Sequence, residues 1–241
     1  MRHSRLFTDQ ALGSGLTVDL EARPARHVAQ VLRLKRGQAL TLFNGDGRDW
    51  SAELTRCDRR SVQARISGLL HEEPPPQRAL HLGIGVSRGE RMDFAIQKSV
   101  ELGVTMITPL RTERSVVQLD EEKAQKRRMH WRGVLIAACE QSGRSRVPVL
   151  RPVSQFTAWT TQQPSGLLLD HRSSVALPTI PAPSGDIHLV VGPEGGLSQP
   201  EREHAMAQGF TAVRLGPRIL RTETAPLAAL AAIQTLWGDF R

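Results

Sequence analysis

The chain has 241 residues, of which 39% are hydrophobic and two are cysteines, and its formal net charge at pH 7 is +8. It is long enough to bury a hydrophobic core without disulfides, and Cys57 and Cys139 lack the spacing of a zinc site. The longest apolar run, residues 227–233, is too short to span a membrane, and the charged N-terminus lacks the apolar stretch of a signal peptide, so we expect a cytoplasmic protein without a metal.

Residues 1–72 are predicted to form a small β-barrel. Short alternating runs such as "ALTLFNGDGRDWSAEL" and "SVQARISGLL" are typical of strands, and the "NGDG" within the first run suits a hairpin turn. A helix is expected around "PARHVAQVLRL". Three prolines in "EEPPP", residues 72–76, continue neither a helix nor a central strand, so this segment marks a stiff connector.

Strands and helices alternate over residues 77–241, which predicts an α/β domain around a mainly parallel sheet. Expected strands are "LHLGIGVS", "VTMITPL", "GLLLDH", "IHLVVG" and "AVRLG". Helices are expected over "RMDFAIQKSVELG", "EEKAQKRRMHWRGVLIAACEQSG" and "PLAALAAIQTLW", and another should follow a capping box formed by Ser198 and Glu201. Thr222 or Thr224 can cap "PLAALAAIQTLW", the last helix in the chain.

Two loops of the second domain begin with Gly-Pro directly after a strand: "VVGPEGGLS", residues 190–198, and "LGPRILRTETAPLAAL", residues 215–230. Glycines let a backbone approach a ligand closely, and ligands of parallel α/β sheets bind at the carboxyl ends of strands. Neither loop has the spacing of a dinucleotide or nucleoside triphosphate motif. A glycine-rich turn and a helix cap remain open as purely structural readings, but the two loops together predict one composite pocket.

Most of the positive charge is arginine, which favours a nucleic-acid partner, although a solvated basic surface is the alternative. Arginines cluster in "EQSGRSRVP", in "VSRGERMD" and in "ARHVAQVLRL". Taken alone, the first cluster is explained better by helix termination than by phosphate binding, because a helix C-terminus favours cations. The candidate RNA-binding residues in these segments are Arg33, Arg88, Arg144 and Arg146.

The pair "GPEGGLS" and "LGPRILRTETAPLAAL" resembles the SPOUT superfamily, and most closely its RsmE family. "SRGERMDFAIQKSVELGV", "TERSVV" and "AACEQSGRSRVP" are similar to other phrases of that family, so the resemblance covers nearly the whole second part. "RHSRLF" and "HVAQVLRLKRGQ" fit its PUA-like RNA-binding barrel less specifically. The resemblance implies a trefoil-knotted methyltransferase domain of residues 77–241, a homodimer, S-adenosylmethionine as methyl donor, and N3 of a uridine in 16S rRNA of the small ribosomal subunit as the target.

The resemblance also implies the roles of individual residues. Because N3 of uridine carries a proton at neutral pH, a base or an anion-stabilising cation should lie near it. Glu223 and Glu194 are the candidate bases, and Arg221 is the candidate stabiliser of negative O2 or O4. The implied cofactor contacts are Leu169, Gly192, Gly196, Leu215, Gly216, Ile219, Leu220 and Thr222.

Two other functions stay open at this point. A related SPOUT enzyme could act on another RNA or on a ribose 2′-hydroxyl group, and a non-catalytic ribosome-assembly factor could keep a vestigial pocket. Binding of S-adenosylmethionine distinguishes the second of these, since an assembly factor need not bind it.

Overall fold

The computed structural model describes residues 4–58, 61–117 and 119–240. The first residues of the "RHSRLF" phrase therefore lie outside the described ranges. The chain divides into two compact units: Met1–Pro75 together with Ile136–Val147, and Pro76–Leu135 together with Pro148–Arg241. Among the described residues, no helix combines the length and apolar character that crossing a membrane requires.

The first unit contains a five-stranded sheet with the strand order β1-β3-β4-β5-β2. Strands β1 and β3 are parallel and the other neighbours are antiparallel. Its strands are β1 (Arg5–Phe7), β2 (Thr17–Asp19), β3 (Ala39–Phe43), β4 (Arg48–Cys57) and β5 (Val62–Glu72).

One helical segment accompanies this sheet, as the sequence predicted. Helix α1 covers Ala22–Arg26 and continues as one π-helical turn, His27–Val31. Val28 of that turn packs into the core of the unit with alternate residues of the strands, including Leu42, Leu54 and Ile66. The "NGDG" loop joins β3 to β4, and its two glycines adopt positive φ angles of 94° and 102°, which confirms the predicted hairpin.

The second unit is built on a fully parallel sheet with the order β12-β10-β11-β6-β7-β8, and β9 also pairs with β7. This confirms the predicted parallel α/β architecture. The strands are β6 (Leu80–Gly85), β7 (Met106–Arg111), β8 (Val149–Leu150), β9 (Ser154–Gln155), β10 (Gly166–Leu169), β11 (Ile187–Val191) and β12 (Phe210–Val213).

The α-helices that follow residue 76 have the predicted pattern with one addition. Helix α4 was missed because its sequence, "FTAWTTQ", is rich in β-branched and aromatic residues that favour strands. The last strand also begins and ends earlier than predicted, so the following loop starts at Arg214. The helices are α2 (Gly89–Glu101), α3 (Glu121–Ser142), α4 (Phe156–Gln162), α5 (Gln199–Ala207) and α6 (Thr224–Trp237).

The two predicted helix starts have different outcomes. The capping box of α5 is confirmed: the Ser198 hydroxyl accepts from the backbone N–H of Glu201, whose carboxylate accepts from the backbone N–H of Ser198. The predicted threonine cap of α6 is wrong. Glu223 occupies the N-cap position without a side-chain cap bond, and the Thr222 hydroxyl makes a different contact, described below.

Candidate functional site

The loops that follow β10, β11 and β12 line a single cavity of about 570 Å³. These strands lie side by side and point in the same direction, so their carboxyl ends lie at the same edge of the sheet. The two Gly-Pro loops predicted to form one pocket do meet here, and the loop after β10 adds a third wall.

The Thr222 hydroxyl joins the two Gly-Pro loops. It donates to the carbonyl oxygen of Gly192 at 3.2 Å, and its oxygen lies 3.2 Å from the hydroxyl oxygen of Ser87, which follows β6. Only 9% of Thr222 is exposed. Loops after β6, β11 and β12 are therefore tied together by one buried polar contact.

Two glycines allow the backbone of the "GPEGG" loop to pack against the end of β6 and then to turn toward α5. A Cβ atom added to Gly85, at the end of β6, would lie 2.5 Å from the backbone nitrogen of Pro193. Gly196 has a φ of +66°, in the left-handed region that strains other residues. The "GPEGG" loop therefore lies directly on the end of the central strand and turns back into α5.

The predicted cofactor contacts can be placed directly. Gly216 has a φ of +72° and belongs to the loop after β12, but it is not among the residues described as lining the cavity. The other seven all line it: Leu169, Gly192, Gly196, Leu215, Ile219, Leu220 and Thr222.

The three candidate catalytic residues, Arg221, Glu223 and Glu194, also line the cavity. Arg221 is exposed, whereas Glu223 is half-buried. Within the described ranges, the Oε2 atom of Glu223 is buried and has no hydrogen-bond partner. An unpartnered buried carboxylate oxygen is costly, and it marks the point where a polar or cationic group of a ligand fits.

Glu194 likewise has a buried Oε2 atom without a hydrogen-bond partner in the described ranges, but its other carboxylate oxygen is engaged. Its Oε1 atom accepts from the backbone N–H of Arg88 at 3.0 Å and lies 3.5 Å from the Arg91 guanidinium. Burial acts to raise the pKa of this carboxyl, but the hydrogen bonds and the charge of Arg91 outweigh it and hold the pKa below its usual value. Glu194 is therefore an ionised anchor for the start of α2 and a weak base.

Of the candidate RNA-binding arginines, Arg88 belongs to the second unit and Arg33, Arg144 and Arg146 belong to the first. Arg88 and Arg33 are exposed, and Arg33 has the one positive φ angle, 53°, among the described non-glycine residues. Arg146 donates through Nε to the carbonyl oxygen of Glu73 at 3.0 Å, and Arg144 lies 3.8 Å from the Glu73 carboxylate. Both half-buried side chains thus contact the first unit, to which residues Ile136–Val147 belong.

The sequence reasoning missed a polar wall contributed by the loop after β10. The Asp170 carboxylate lies 3.3 Å from Nε of Arg202 and 3.6 Å from a guanidinium nitrogen of Arg172, and all three residues line the cavity. An acid directly after a buried strand, in "GLLLDH", was a usable signal for Asp170. Nothing local indicated Arg202, because it approaches from α5. In the described parts of the chain, no group of His, Cys, Asp and Glu residues is arranged to hold a metal ion.

Family models match two parts of the chain. The model of the RNA methyltransferase domain matches residues 73–234, and the model of the RNA methyltransferase PUA domain matches residues 20–67. Among curated proteins, ribosomal RNA small subunit methyltransferase E of Bacillus subtilis is 32% identical, and the alignment covers 97% of each chain. The protein of that name from Buchnera aphidicola is 31% identical, with 99% of this chain and 98% of the relative covered.

Two solved structures are similar along the whole chain. A ribosomal RNA small subunit methyltransferase E from Neisseria gonorrhoeae, bound to S-adenosyl methionine, is 42% identical with a TM-score of 0.92, covering 99% of this chain and 100% of the other. A Legionella pneumophila protein in complex with the bound cofactor SAM is 37% identical with a TM-score of 0.96, covering 100% of both chains.

Proposed function

Because this chain belongs to the RNA methyltransferase family, we propose that it transfers a methyl group from S-adenosylmethionine to N3 of a specific uridine in 16S rRNA of the small ribosomal subunit. Relatives that match its full length carry the name of a small-subunit ribosomal RNA methyltransferase, and similar structures hold the cofactor. One geometric feature supports the assignment most strongly: the Thr222 contact closes two Gly-Pro loops into one cavity at the carboxyl ends of the strands.

The cavity fits S-adenosylmethionine on three grounds. Its volume of about 570 Å³ lies in the range of small-molecule sites. The glycine-rich backbone of the "GPEGG" loop offers close approach, while Leu169, Leu197 and Leu220 offer apolar surface to an adenine ring. The buried, unpartnered Oε2 of Glu223 suits a ligand that carries positive charge. We propose Leu169, Gly192, Gly196, Leu215, Ile219, Leu220 and Thr222 as its contacts, with Gly216 shaping the loop.

The protein's task in the reaction is to align and activate the uridine. When bound, S-adenosylmethionine supplies an electrophilic methyl group on a sulfonium, and the transfer leaves a neutral thioether. N3 must lose its proton before its lone pair can form the new N–C bond. We propose that Glu223 accepts that proton and that the Arg221 guanidinium stabilises the negative charge that spreads to O2 and O4, since both residues line the cavity. The low pKa of Glu194 makes it the weaker candidate base and favours its anchoring role.

We further propose that the second domain, residues 77–241, is knotted and forms a homodimer. Strand β12 lies at the sheet edge, yet Thr222, nine residues after Val213, already contacts residues that follow the central strands β6 and β11. A chain that crosses the sheet end in this way and continues into a buried helix is compatible with threading through a preceding loop. On α6, the residues Leu227, Ala228, Ala231 and Ala232 are only half-buried, which offers an apolar surface to a second copy.

The PUA-like first domain, residues 1–72, is proposed to bind the ribosomal RNA, with exposed Arg33 as a phosphate contact, and exposed Arg88 of the second domain is proposed as a further one. We expect the protein to act in the cytoplasm, where its substrate is found. Arg144 and Arg146 are the weaker RNA-binding candidates, because Glu73 already contacts both side chains.

Mass spectrometry of ribosomal RNA from cells with and without this gene tests the activity and the target together. We expect one N3-methyluridine to disappear on deletion, to return with the wild-type gene, and to stay absent with Arg221→Ala protein of unchanged thermal stability. Calorimetry with S-adenosylmethionine is the companion experiment. A protein that binds no cofactor and whose loss changes no ribosomal nucleotide would instead be an assembly factor.

A further inference from the structure

Five arginines line the cavity, and three of them lie near an acidic side chain. Arg91 lies 3.5 Å from Glu194, and Arg172 and Arg202 lie 3.6 and 3.3 Å from Asp170. The guanidinium groups of Arg218 and Arg221 make no hydrogen bond or ion pair with any residue in the described ranges, and Arg221 is bonded only through its backbone carbonyl. Both unpaired guanidinium groups come from the loop after β12.

The two unpaired arginines lie on a loop whose far end is fixed. Arg218 is exposed and Ile219 is 74% exposed, whereas Thr222 is 9% exposed and bonded to Gly192; Arg221, between them, is exposed as well. Arg218 thus lies on the solvent side of the cavity, while Thr222 and the buried Oε2 atom of Glu223 lie deeper. An exposed guanidinium without an acidic partner among the described residues can receive an anion from solvent.

We propose that Arg218 binds a backbone phosphate of the RNA next to the target nucleotide, and so positions the substrate without taking part in proton transfer. This inference rests on the proposed function. S-adenosylmethionine carries one carboxylate, whereas every RNA nucleotide carries a phosphate, which is the anion that stays at the solvent side when a base enters a pocket. Arg218 is exposed, as a residue that contacts an RNA phosphate should be. Glu223 lies deeper in the cavity, where the uracil base and the methyl donor are expected.

The test compares Arg218→Ala and Arg218→Lys with Arg214→Ala. Arg214 is also an exposed arginine, at the start of the same loop; it is not among the residues that line the cavity, and within the described ranges it is bonded only through its backbone. Each protein is assayed for methylation of 16S rRNA or small subunits, for RNA affinity at several salt concentrations, and for S-adenosylmethionine affinity by calorimetry.

Arg218→Ala is expected to raise KM for RNA about tenfold with a smaller change in kcat and unchanged cofactor affinity. The slope of log affinity against log salt concentration should fall by about 0.7–0.9, the contribution of one phosphate. Arg218→Lys should recover part of the affinity and the full slope, because it keeps the charge but not the bidentate geometry. Arg214→Ala should match the wild type in every measurement.

Two results would overturn the inference while leaving the proposed function intact. Weaker cofactor binding with an unchanged RNA salt slope would assign Arg218 to the donor's carboxylate. An effect of Arg214→Ala equal to that of Arg218→Ala would show only a general loss of surface charge. Wild-type protein that binds the cofactor but modifies no small-subunit RNA would overturn both proposals.

Discussion

The hydroxyl of Thr222 donates to the carbonyl oxygen of Gly192 across 3.2 Å, although 30 positions separate the two residues in the chain. Each residue belongs to a Gly-Pro loop that follows a different strand of the parallel sheet. This bond, together with the contact of Thr222 to Ser87, makes a single cavity wall out of segments that are remote in sequence.

Replacing Thr222 with Val should therefore loosen the cavity wall, although the volume of the side chain hardly changes. The valine keeps the branched shape but leaves the Gly192 carbonyl and the Ser87 hydroxyl without this partner, which costs about 1–3 kcal/mol. We expect the Kd for S-adenosylmethionine to rise about tenfold, measured by calorimetry. Thr222→Ser, which keeps the hydroxyl, should bind nearly as well as the wild type. Equal affinity of the valine and serine variants would show that the hydrogen bond does not shape the site.

The two glutamates of the cavity should respond differently to loss of charge. Glu223→Gln is expected to lower kcat by about 100-fold or more, because the proton acceptor for N3 is lost. Glu194→Gln should have a much smaller effect on kcat and leave the pH dependence of the rate unchanged, since its carboxylate is already engaged by Arg88 and Arg91. Single-turnover rates across a pH series measure both. A larger loss in Glu194→Gln would reverse the assignment of the base.

Close backbone approach at Gly85 leads to a prediction about packing. In Gly85→Ala the added Cβ would lie 2.5 Å from the Pro193 nitrogen, so the "GPEGG" loop must shift. We expect a loss of stability of about 1–3 kcal/mol and weaker cofactor binding, measured by chemical denaturation and calorimetry.

Gly133→Ala is the matched control for that substitution. Gly133 lies within α3, and no heavy atom described in the structure, beyond its own helix backbone and chain neighbours, comes within 4 Å of its added Cβ. The alanine should stabilise the helix by about 0.5–1 kcal/mol. If Gly85→Ala were equally harmless, the loop would not depend on contact with the end of β6.

A buried histidine makes stability depend on pH. Burial, with smaller contributions from His188 and Arg151, lowers the pKa of His81 from 6.5 to about 4. Its Nε2 atom lies 2.8 Å from the hydroxyl oxygen of Thr108 and 3.3 Å from the indole nitrogen of Trp159, an obligate donor, so only a ring with an unprotonated Nε2 can accept the bond from Trp159. Between about pH 4 and pH 6.5, His81 is therefore protonated in the unfolded chain but neutral in the folded protein.

The sign of the effect follows from that difference. The contribution of His81 is complete above about pH 6.5 and is lost as the pH falls toward 4, by up to about 3 kcal/mol. Denaturant midpoints measured from pH 7.5 to pH 4.5 should decrease through this window. His81→Asn should be less stable at pH 7.5 and show a flatter decrease, with a remainder from His188, whose pKa is also lowered. A variant with the wild-type slope would exclude His81 as the cause.

Local sequence patterns predicted much of this molecule. Alternating apolar residues indicated the strands, "NGDG" the hairpin, and Ser198 with Glu201 the start of α5, because each depends on contacts between residues close in the chain. The Gly-Pro loops were also readable, because each combines glycine and polar residues directly after a predicted strand.

Local rules failed where a distant partner competed with them. Thr222 was predicted to cap α6, which a threonine near a helix start often does. Its hydroxyl instead donates a hydrogen bond to the carbonyl oxygen of Gly192. The threonine- and aromatic-rich α4 was missed because Phe156 and Trp159 gain more from burial in the core than their weak helix propensity costs.

The sequence by itself determined that a β-rich unit precedes a parallel α/β unit and that two Gly-Pro loops end strands of the latter. Only the tertiary structure decided that β10 lies between β11 and β12, which places Asp170 beside Arg202, while the Arg218 guanidinium has no ion-pair partner among the described residues. The physical reason is that hydrogen bonding and apolar periodicity act over a few residues, whereas charge pairing and cavity shape depend on the order in which distant strands join the sheet.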